Sequence, residues 1–588
     1  MRSFEYYFSF DIIVDFLVKQ RVKISFQTHK QIYLNRILKI NDDVEFIDLK
    51  FLQSILPPRK KWSRPNTHNT RQKLNTAVDI NVTAIKNSIY KIHRKFLNNR
   101  IEFLETPLWY QNLRKYIFEI KLRVFQDENL SITPPTIIPK EKEKGSTTMR
   151  PIANFCIDDK LILGLTNKYL TSKFDLVFLD NSTAFRQRIG VKKSPRHHDV
   201  IKEIKEYRVK HIGQPLYVAE CDIKKFFDCV YHKIIVDRYE EIKAQLNKLD
   251  IHINERAEKI FNSYLKCYSF NKMVLSKNQD KSYWMNFKKK PESQFGWSEH
   301  LVNKQKNGEI DNELIGIPQG GALSGLIANI IMHNVDKKIV EYKESKYDSL
   351  LYKRYCDDMI IIHKDAKICQ ELFELYKTSL RENLLEYHEP ISLPRRYGKL
   401  FWAEQAKSKN TYYWNEKPSP MEIPQSKWLN FLGYMINYKG DLKIRKKSLD
   451  KQIQKHEKEL RSVIFKLNEI KPEELKKNQY SILYSFKCKL YSMAVGKVNL
   501  SNYKNEATKM CWGDGFKLID NNKYLRKQLR KLDYSRGKTI GHLNLHIKRK
   551  CKSVLKKDSD CDAVTDIENY IKIGYPHSFY SLLERTLT

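Results

Sequence analysis

The chain has 588 residues, with 107 Lys and Arg against 69 Asp and Glu, a formal net charge of +38. Its length exceeds one typical hydrophobic core, and a hydrophobic content of 41% with 34 Tyr and 28 Phe excludes an intrinsically disordered chain. The positive charge is spread over the whole length, which favours a nucleic-acid partner over a membrane surface. The ten cysteines are scattered without a Cys-x-x-Cys pair, and neither a signal peptide nor an apolar run of ~20 residues is present. We therefore expect a cytoplasmic protein without a membrane span, a zinc ribbon or a disulfide framework.

The first 125 residues show helical periodicity but no specific motif. From residue 82 to residue 123, apolar side chains recur at helical spacing with Lys and Arg between them, and Pro107 is expected to interrupt the helix. This pattern predicts a helical N-terminal extension.

A β-hairpin that carries cations is predicted near residues 134–152. A Gly-Ser-Thr-Thr turn separates two extended arms, which carry Lys142, Lys144 and Arg150. Cations on a mobile hairpin can hold a triphosphate. A solvated charged hairpin without a ligand explains the same residues equally well.

An apolar run at residues 216–221 predicts a strand that ends at Asp222, after which the chain turns into a helix beginning near Phe226. A carboxylate at the end of a strand can hold a metal ion or act as a catalytic acid. A single Asp in this place is more often a helix N-cap. Its role therefore depends on partners elsewhere in the chain.

Residues 240–310 are basic and aromatic, and we interpret them as an insertion that contacts nucleic acid. Three consecutive lysines at 288–290 have four aromatic residues nearby, which are Trp284, Phe287, Phe295 and Trp297.

The stretch at 316–330 reads Gly-Ile-Pro-Gln-Gly-Gly-Ala-Leu-Ser-Gly-Leu-Ile-Ala-Asn-Ile. Its glycines allow the backbone to approach a ligand closely, and the small residues Ala322, Ser324 and Gly325 open a helix that can pack tightly beneath. A loop before an ordinary core helix is the alternative, but the Pro-Gln-Gly sequence makes this stretch specific.

Two adjacent carboxylates, Asp357 and Asp358, lie between two predicted strands. Residues 350–355 and the run Met-Ile-Ile-Ile at 359–362 suit buried strands, so we predict a tight hairpin. Neighbouring like charges resist burial unless cations neutralise them, and two-metal phosphoryl transfer requires such carboxylates. A solvated turn is the alternative, because Asp pairs are common in turns.

The C-terminal region is helical and basic in pattern. Residues 448–468 place apolar side chains on one side of a helix and lysines on another, and apolar periodicity continues to residue 495. The basic runs at 526–531 and 546–550 favour RNA binding, while a solvated helix face is the alternative.

Taken in chain order, three motifs resemble those of a reverse transcriptase: Asp222 with Phe-Phe at 226–227, Ile-Pro-Gln-Gly at 317–320, and Tyr-Cys-Asp-Asp at 355–358. Two further stretches match the same family. Phe-Leu-Gly-Tyr at 431–434 is similar to its primer grip, and the basic residues 443–449 are similar to the start of its thumb. The resemblance covers about residues 130 to 470.

The resemblance implies an α+β fold of the right-hand polymerase type, with fingers, a palm built on an antiparallel sheet, a thumb, and helical N- and C-terminal extensions. The implied boundaries are 1–125 for the N-terminal extension, 126–215 for the fingers, 216–440 for the palm with an insertion near 240–310, 441–475 for the start of the thumb, and 476–588 for the helical basic C-terminal extension.

The resemblance also implies a catalytic centre. Asp222, Asp357 and Asp358 would be the catalytic residues and would bind two Mg²⁺ ions, with Mn²⁺ as the alternative. Phe227 matches the family's steric gate, a bulky side chain that lies where a ribose 2′-hydroxyl would be, so deoxynucleotides are expected as substrates. It also distinguishes the chain from viral RNA-dependent RNA polymerases, which have a smaller polar residue there.

Further residues are implied to bind the nucleotide and the template. Gln319 and Gly320 would line this pocket together with Tyr355, and Arg150 with Lys144 or Lys142 would hold the triphosphate. The lysine that follows the catalytic hairpin is ambiguous, because Lys407 and Lys409 both fit loosely. The residues that the resemblance implies for binding the nucleotide and the template are therefore Phe227, Gln319, Gly320, Arg150, Lys144 and Tyr355.

Within the family, the chain looks most similar to the bacterial defence-associated, unknown-group branch, which is related to group II intron and retron enzymes. The expected function is RNA-directed DNA synthesis in antiphage defence, with an RNA template, a structured non-coding RNA, dNTPs and a DNA product as partners, and with an oligomeric state that the sequence leaves open. The alternatives are an RNA-binding maturase or scaffold of an intron-like ribonucleoprotein, and untemplated or protein-primed DNA synthesis.

Overall fold

The computed structural model describes residues 2–38, 47–65, 77–142, 145–187, 195–342, 350–390, 407–419, 423–495, 518 and 522–552. The chain forms two compact units. The first comprises Met1–Ile13, Ile117–Leu432 and Asn437–Gly440, and the second comprises Val14–Tyr116, Gly433–Ile436 and Asp441–Thr588, each over its described residues.

Helices and strands alternate irregularly along the chain, as expected of an α+β protein. The strands are β1 (Thr136–Glu141), β2 (Thr148–Asn154), β3 (Tyr217–Asp222), β4 (Gln294–Phe295), β5 (Leu350–Tyr355), β6 (Asp358–His363), β7 (Lys409–Tyr413), β8 (Trp428–Phe431), β9 (Tyr434–Asn437) and β10 (Leu442–Ile444). The helices are α1 (Phe4–Tyr7), α2 (Phe10–Ile37), α3 (Ile47–Ile55), α4 (Ala77–Leu97), α5 (Leu108–Phe125), α6 (Ile157–Phe174), α7 (His197–Lys210), α8 (Phe226–Cys229), α9 (His232–Lys248), α10 (Glu255–Lys266), α11 (Lys281–Asn286), α12 (Glu299–Lys306), α13 (Ser324–Val340), α14 (Ala366–Glu382), α15 (Lys446–Asn468), α16 (Pro472–Val495) and α17 (Lys523–Lys552).

The first unit is built on a four-stranded sheet in the order β5-β6-β3-β7. All three strand pairs are antiparallel, and β3 pairs with β6 along its whole length. Met359, Ile360, Ile361 and Ile362 in β6 are fully buried, which explains the run of β-branched side chains. The helix α14 covers the sheet by packing against β3, β6 and β7. The predicted hairpin and the predicted strand ending at Asp222 are both confirmed.

The predicted hairpin near residues 134–152 is also confirmed. Strands β1 and β2 pair antiparallel, with Lys140 opposite Arg150, and β4 adds to β2 in parallel. Lys144 lies outside the described residues.

The prediction that the four aromatic residues near the lysines at 288–290 contact nucleic acid is wrong for Trp284 and Phe295. Trp284 and Phe295 are at most 1% exposed and Trp297 is 8% exposed. Trp284 packs against Phe295 and Trp297 packs against Phe270 within the first unit, because their large apolar area is removed from water there. Trp284 and Phe295 are therefore core residues and cannot stack on bases, whereas Trp297 also lines a cavity.

The second unit contains the helical extensions. The predicted amphipathic helix is α15, and both basic runs lie on α17, which packs against α15 and α16. Apolar residues of the three helices share one core, including Leu467, Phe486 and Leu543. In the N-terminal part, the predicted break at Pro107 is confirmed, since α4 ends at Leu97 and α5 begins at Leu108.

Among the described residues, every helix is either too short or too polar to cross a membrane.

Candidate active site

A cavity of about 970 Å³ opens in the first unit where β3 ends. Its lining includes Asp222, Asp357 and Asp358, and it also includes Phe227 and Gln319. Residues separated by more than 130 positions in sequence thus meet in one space. The antiparallel sheet causes this, because the end of β3 and the β5–β6 turn lie at the same edge.

The register of the sheet fixes the three carboxylates. Asp222 is directly opposite Asp358 in the β3–β6 pair, and Asp357 occupies the adjoining turn. Side chains directly opposite each other share one face of a sheet, with Cβ atoms roughly 4.5–5.5 Å apart. Burial raises the pKa of Asp357, and the negative charge of Asp222 raises it further. The cluster is therefore under-neutralised, and a cation would stabilise it.

These carboxylates fit a divalent cation by the chemistry of their donors, since hard ions such as Mg²⁺ take oxygen ligands. Within the described part of the chain, no group of three or more His, Cys, Asp or Glu side chains is arranged to hold a metal ion by itself. Mg²⁺ usually keeps several waters and binds through one or two carboxylates plus substrate phosphates. An open arrangement of this kind suits a metal that is shared with a nucleotide.

The turn that carries Asp357 is held from below by a buried arginine. Cys356 has a φ of +60°, a conformation that residues other than glycine rarely adopt. Arg354, which is 0% exposed, donates a hydrogen bond from Nη1 to the Cys356 carbonyl oxygen at 2.9 Å. This contact ties the strained residue to the body of β5.

Arg354 is in turn paired with Asp336 on α13. Its Nε and Nη2 donate to the two carboxylate oxygens of Asp336, at 2.8 Å to Oδ1 and 2.6 Å to Oδ2. The Tyr352 hydroxyl donates to Asp336 at 2.6 Å, and Arg354 Nη2 also donates to Ser182 Oγ at 2.8 Å. Burial alone would lower the pKa of Arg354, but the charge and hydrogen bonds of Asp336 raise it above its ordinary value. The arginine is therefore charged and fully engaged.

Gln319 is fixed by a carboxylate that the sequence motifs did not single out. Its Nε2 donates to Asp228 Oδ1 at 2.7 Å. Asp228 is 6% exposed, and burial raises its pKa to about 6 against the opposing effects of Gln319 and of nearby Lys225, Arg150 and Lys142. Because the amide nitrogen is committed to Asp228, the carbonyl oxygen of Gln319 is the group left to accept a hydrogen bond from a ligand.

Asp228→Asn should therefore change how stability depends on pH. The pKa of a free aspartic acid is about 3.9, so between that value and about 6 the native chain holds a proton that the unfolded chain releases. The stability from this group is present below about pH 4 and is lost, by up to about 3 kcal/mol, as pH rises through about 6. The free energy of unfolding of the variant relative to that of the wild type, measured by denaturant titration at about pH 5 and about pH 8, should be larger at the higher pH. An equal difference at both values would contradict the raised pKa.

The glycine-rich stretch is explained mainly by protein packing rather than by ligand approach. A Cβ atom on Gly321 would lie 1.9 Å from the Tyr264 hydroxyl, and one on Gly325 would lie 2.5 Å from the Phe185 ring. Tyr264 Oη is 2.7 Å from Ser324 Oγ, which donates to the Pro318 carbonyl at 2.6 Å. This buried chain of hydrogen bonds holds the loop that presents Gln319.

The two candidate lysines after the hairpin have different surroundings. Lys409 is buried, with Nζ 2.8 and 2.7 Å from the two carboxylate oxygens of Glu220. Lys407 lines the cavity, with Nζ 3.2 Å from Asp222 Oδ2 and 2.9 Å from His388 Nε2. Only Lys407 of this pair is therefore placed where it can meet a substrate.

The remaining predicted site residues divide into those that line the cavity and those that do not. Arg150 and Lys142 line the cavity, whereas Gly320 and Tyr355 are not among the described residues that line it. Tyr355 pairs opposite Asp358 in the hairpin instead. The residues that sequence reasoning missed are Asp228, Lys225, Glu386 and His388, all of which line the cavity. Asp228 had a signal, because it directly follows the Phe-Phe pair, while Glu386 and His388 had none.

Comparison with known proteins shows which family this region is similar to. Residues 138–389 match the family described as reverse transcriptase (RNA-dependent DNA polymerase). The chain is also 27% identical over 248 residues to the group II intron-encoded protein LtrA of Lactococcus lactis subsp. cremoris, a match that covers 42% of this chain and 32% of that protein. The chain thus spans about a third of the length of the curated relative it matches.

Among solved structures, the chain is similar to two yeast telomerases. Apo telomerase from Candida tropicalis is 12% identical, with 94% of this chain and 87% of that chain covered at a TM-score of 0.31. Telomerase from Candida albicans in complex with the TWJ fragment of telomeric RNA is also 12% identical, with 90% and 82% covered at a TM-score of 0.30. Residues 138–389 are thus similar to a reverse transcriptase domain, and the predicted right-hand polymerase fold of the α+β class is confirmed.

Proposed function

We propose that this chain is an RNA-directed DNA polymerase that extends a primer with dNTPs on an RNA template. The observation that carries the proposal is the β3–β6 register, which places Asp222 opposite Asp358 and next to Asp357 in a cavity that also holds Gln319. All the described residues that line this cavity, except Lys407, lie in the region that matches the reverse transcriptase family.

Each group in the cavity has a proposed role. Asp222, Asp357 and Asp358 would hold two Mg²⁺ ions, which would supply activation of the primer 3′-hydroxyl and neutralisation of the triphosphate. Arg150 and Lys142 orient the triphosphate by charge-assisted hydrogen bonds. Gln319, with its amide fixed by Asp228, contributes a rigid acceptor on the nucleotide side of the cavity.

Phe227 is the proposed determinant of sugar selectivity, because its ring lines the cavity five positions after Asp222. Phe227→Ala should raise the use of ribonucleotides relative to deoxynucleotides by about 100-fold, since a steric exclusion of the 2′-hydroxyl is removed. The kcat/KM ratio for each rNTP–dNTP pair measures the effect. Phe227→Tyr keeps the bulk of the side chain and should retain the selectivity of the wild type. An unchanged ratio in a folded Phe227→Ala protein would refute the role.

The division of the chain follows the same proposal. Residues 126–215 are proposed as fingers, 216–440 as palm, 441–475 as the start of the thumb and 476–588 as a basic appendage. The runs at 526–531 and 546–550 lie on α17 and supply the positive charge for a structured non-coding RNA. We place the protein in the bacterial cytoplasm with a role in antiphage defence, as its motifs suggest.

A second candidate is an RNA-binding maturase or scaffold that keeps the polymerase fold for its shape. It is favoured by the similarity to a group II intron-encoded protein. A scaffold does not need to bind dNTP, whereas a polymerase must.

The melting temperature of the purified protein separates these two functions. A ligand that binds the folded state at a hundredfold excess over its Kd stabilises it by about 2.7 kcal/mol. For a polymerase, Mg²⁺ and dNTP together should raise the melting temperature more than either alone. No joint effect in a folded protein would favour the scaffold.

A further inference from the structure

Lys225 is a cavity residue with an unusual backbone. It lies at the turn between β3 and α8, three residues beyond Asp222, with φ 45° and ψ 45°. Residues other than Gly, Asn and Asp seldom adopt this left-handed conformation, because Cβ approaches the following carbonyl oxygen. A backbone that disfavours lysine suggests that its side chain is retained for another reason.

The ammonium group of Lys225 lies inside the cavity without a direct ion pair. Among the described residues, Lys225 Nζ makes no hydrogen bond and no ion pair within 4.0 Å. The two carboxylates whose charges act on Lys225 from a longer range, Asp228 and Glu386, have other hydrogen-bond partners. Glu386 accepts a hydrogen bond from Ser298 Oγ at 2.7 Å, and Asp228 accepts one from Gln319.

Two more unpaired cations share the wall with Lys225. Within the described part of the chain, Lys142 and Arg150 also line the cavity without an ion pair. A Cβ atom added to Gly296 would lie 3.5 Å from both Lys225 Nζ and Thr148 Cγ2, so Lys225 reaches the strand that carries Arg150. Burial lowers the pKa of Lys225 and the charge of Lys142 lowers it too, against the opposing effects of Cys229, Asp228 and Glu386. Lys225 is partly desolvated beside two exposed cations, so an anionic ligand bound at this wall would be stabilised by all three.

We propose that Lys225 binds the triphosphate of the incoming nucleotide as a third cation beside Lys142 and Arg150. The position suits this ligand, because the carboxylates that would hold its metal ions lie in the same cavity. A triphosphate carries enough negative charge to neutralise all three cations. This assignment rests on the proposed polymerase function and adds a ligand that the family motifs do not include.

The test uses Lys225→Gly, which removes the cation while suiting the backbone. Glycine adopts the left-handed conformation freely, so the melting temperature should stay equal or rise. The KM for dNTP should rise about 10- to 100-fold, with a smaller change in kcat, because a charge-assisted hydrogen bond to the substrate is lost. Lys225→Arg should recover most of the affinity.

The matched control is Lys288→Gly. Lys288 is an exposed lysine outside the cavity that also has a positive φ, of 51°. The same substitution there should relieve the backbone and leave the KM for dNTP unchanged. If Lys225→Gly lowers the melting temperature and keeps the wild-type KM, Lys225 is a structural residue and the proposal is wrong.

Inorganic tripolyphosphate separates this proposal from the proposed function. The wild type should be stabilised by tripolyphosphate, and Lys225→Gly should lose most of that shift. If this holds but the wild type adds no nucleotides, the polymerase function fails and the assignment of Lys225 stands. If the wild type extends primers and Lys225→Gly matches it in both KM and tripolyphosphate shift, the assignment fails and the function stands.

Discussion

Asp357→Asn and Asp358→Asn, made as separate variants, should each reduce the rate of nucleotide addition on the order of 10³-fold, an effect of the size seen when one electrostatic contact to a transition state is removed. Asparagine keeps the size of the side chain but removes a negative charge from the cluster that would hold Mg²⁺. Single-turnover primer extension measures the loss.

The Asp357→Asn variant should lose activity without losing stability. Asp357 is partly buried beside Asp222, and two like charges at this distance destabilise the fold when no cation is bound. The melting temperature without divalent metal should therefore be equal to that of the wild type or higher. Activity is lost while the fold is kept.

Asp365→Asn is the control for these variants. Asp365 follows the same strand β6 and caps α14 by accepting hydrogen bonds from the backbone of Lys367 and Ile368. Asparagine is an equally good N-cap, so both activity and stability should be retained. Normal synthesis by folded Asp357→Asn and Asp358→Asn proteins would show that the reaction occurs elsewhere.

Arg354→Met should destabilise the first unit by about 3–5 kcal/mol, because it leaves Asp336 as a buried carboxylate without its counter-charge. It also removes the hydrogen bond to the Cys356 carbonyl that holds the catalytic turn. Denaturant unfolding should therefore show a lower midpoint, and Mn²⁺ affinity measured by electron paramagnetic resonance should fall in the protein that remains folded.

A second substitution isolates the cause. The double variant Arg354→Met with Asp336→Leu removes both charges and should recover much of the stability, as replacement of a buried pair by apolar residues often does. Lys202→Met, which breaks an exposed pair with Glu206 at 3.6 Å, should have an effect below about 1 kcal/mol. A small loss in Arg354→Met, similar to that of Lys202→Met, would contradict the buried clamp.

The sequence was sufficient to predict the elements whose signals are local. The run of β-branched residues after Asp358 predicts a strand buried on both faces, and the turn before it follows from two facing strands. The order of the motifs also predicts that Asp222 and Asp357 lie in one site. The antiparallel register of β3 and β6 brings them together.

Pairings across distant elements could not be predicted in this way. Arg354 and Asp336 are 18 residues apart and meet only because the fold brings α13 close to β5. The choice between Lys407 and Lys409 depends on the β3–β7 pairing, in which Lys409 is opposite Glu220 after a register shift. A bulge of this kind leaves no signal in residue types.

The composition of a segment also did not predict which of its aromatic side chains are buried. Basic and aromatic residues in one segment suggest a nucleic-acid surface, but Trp284 and Phe295 are core residues. The same tryptophan side chain can lie in the core or on a nucleic-acid-binding surface, and only the packing around it decides between the two.

The most direct test of the central claim is primer extension on a defined RNA template, with the wild type, Mg²⁺ and all four dNTPs, followed by sequencing of the product. The expected product is DNA complementary to the RNA, and it should be absent with Asp357→Asn. A folded wild-type protein that makes no product, or a product whose sequence is unrelated to the template, would contradict RNA-directed synthesis by this chain.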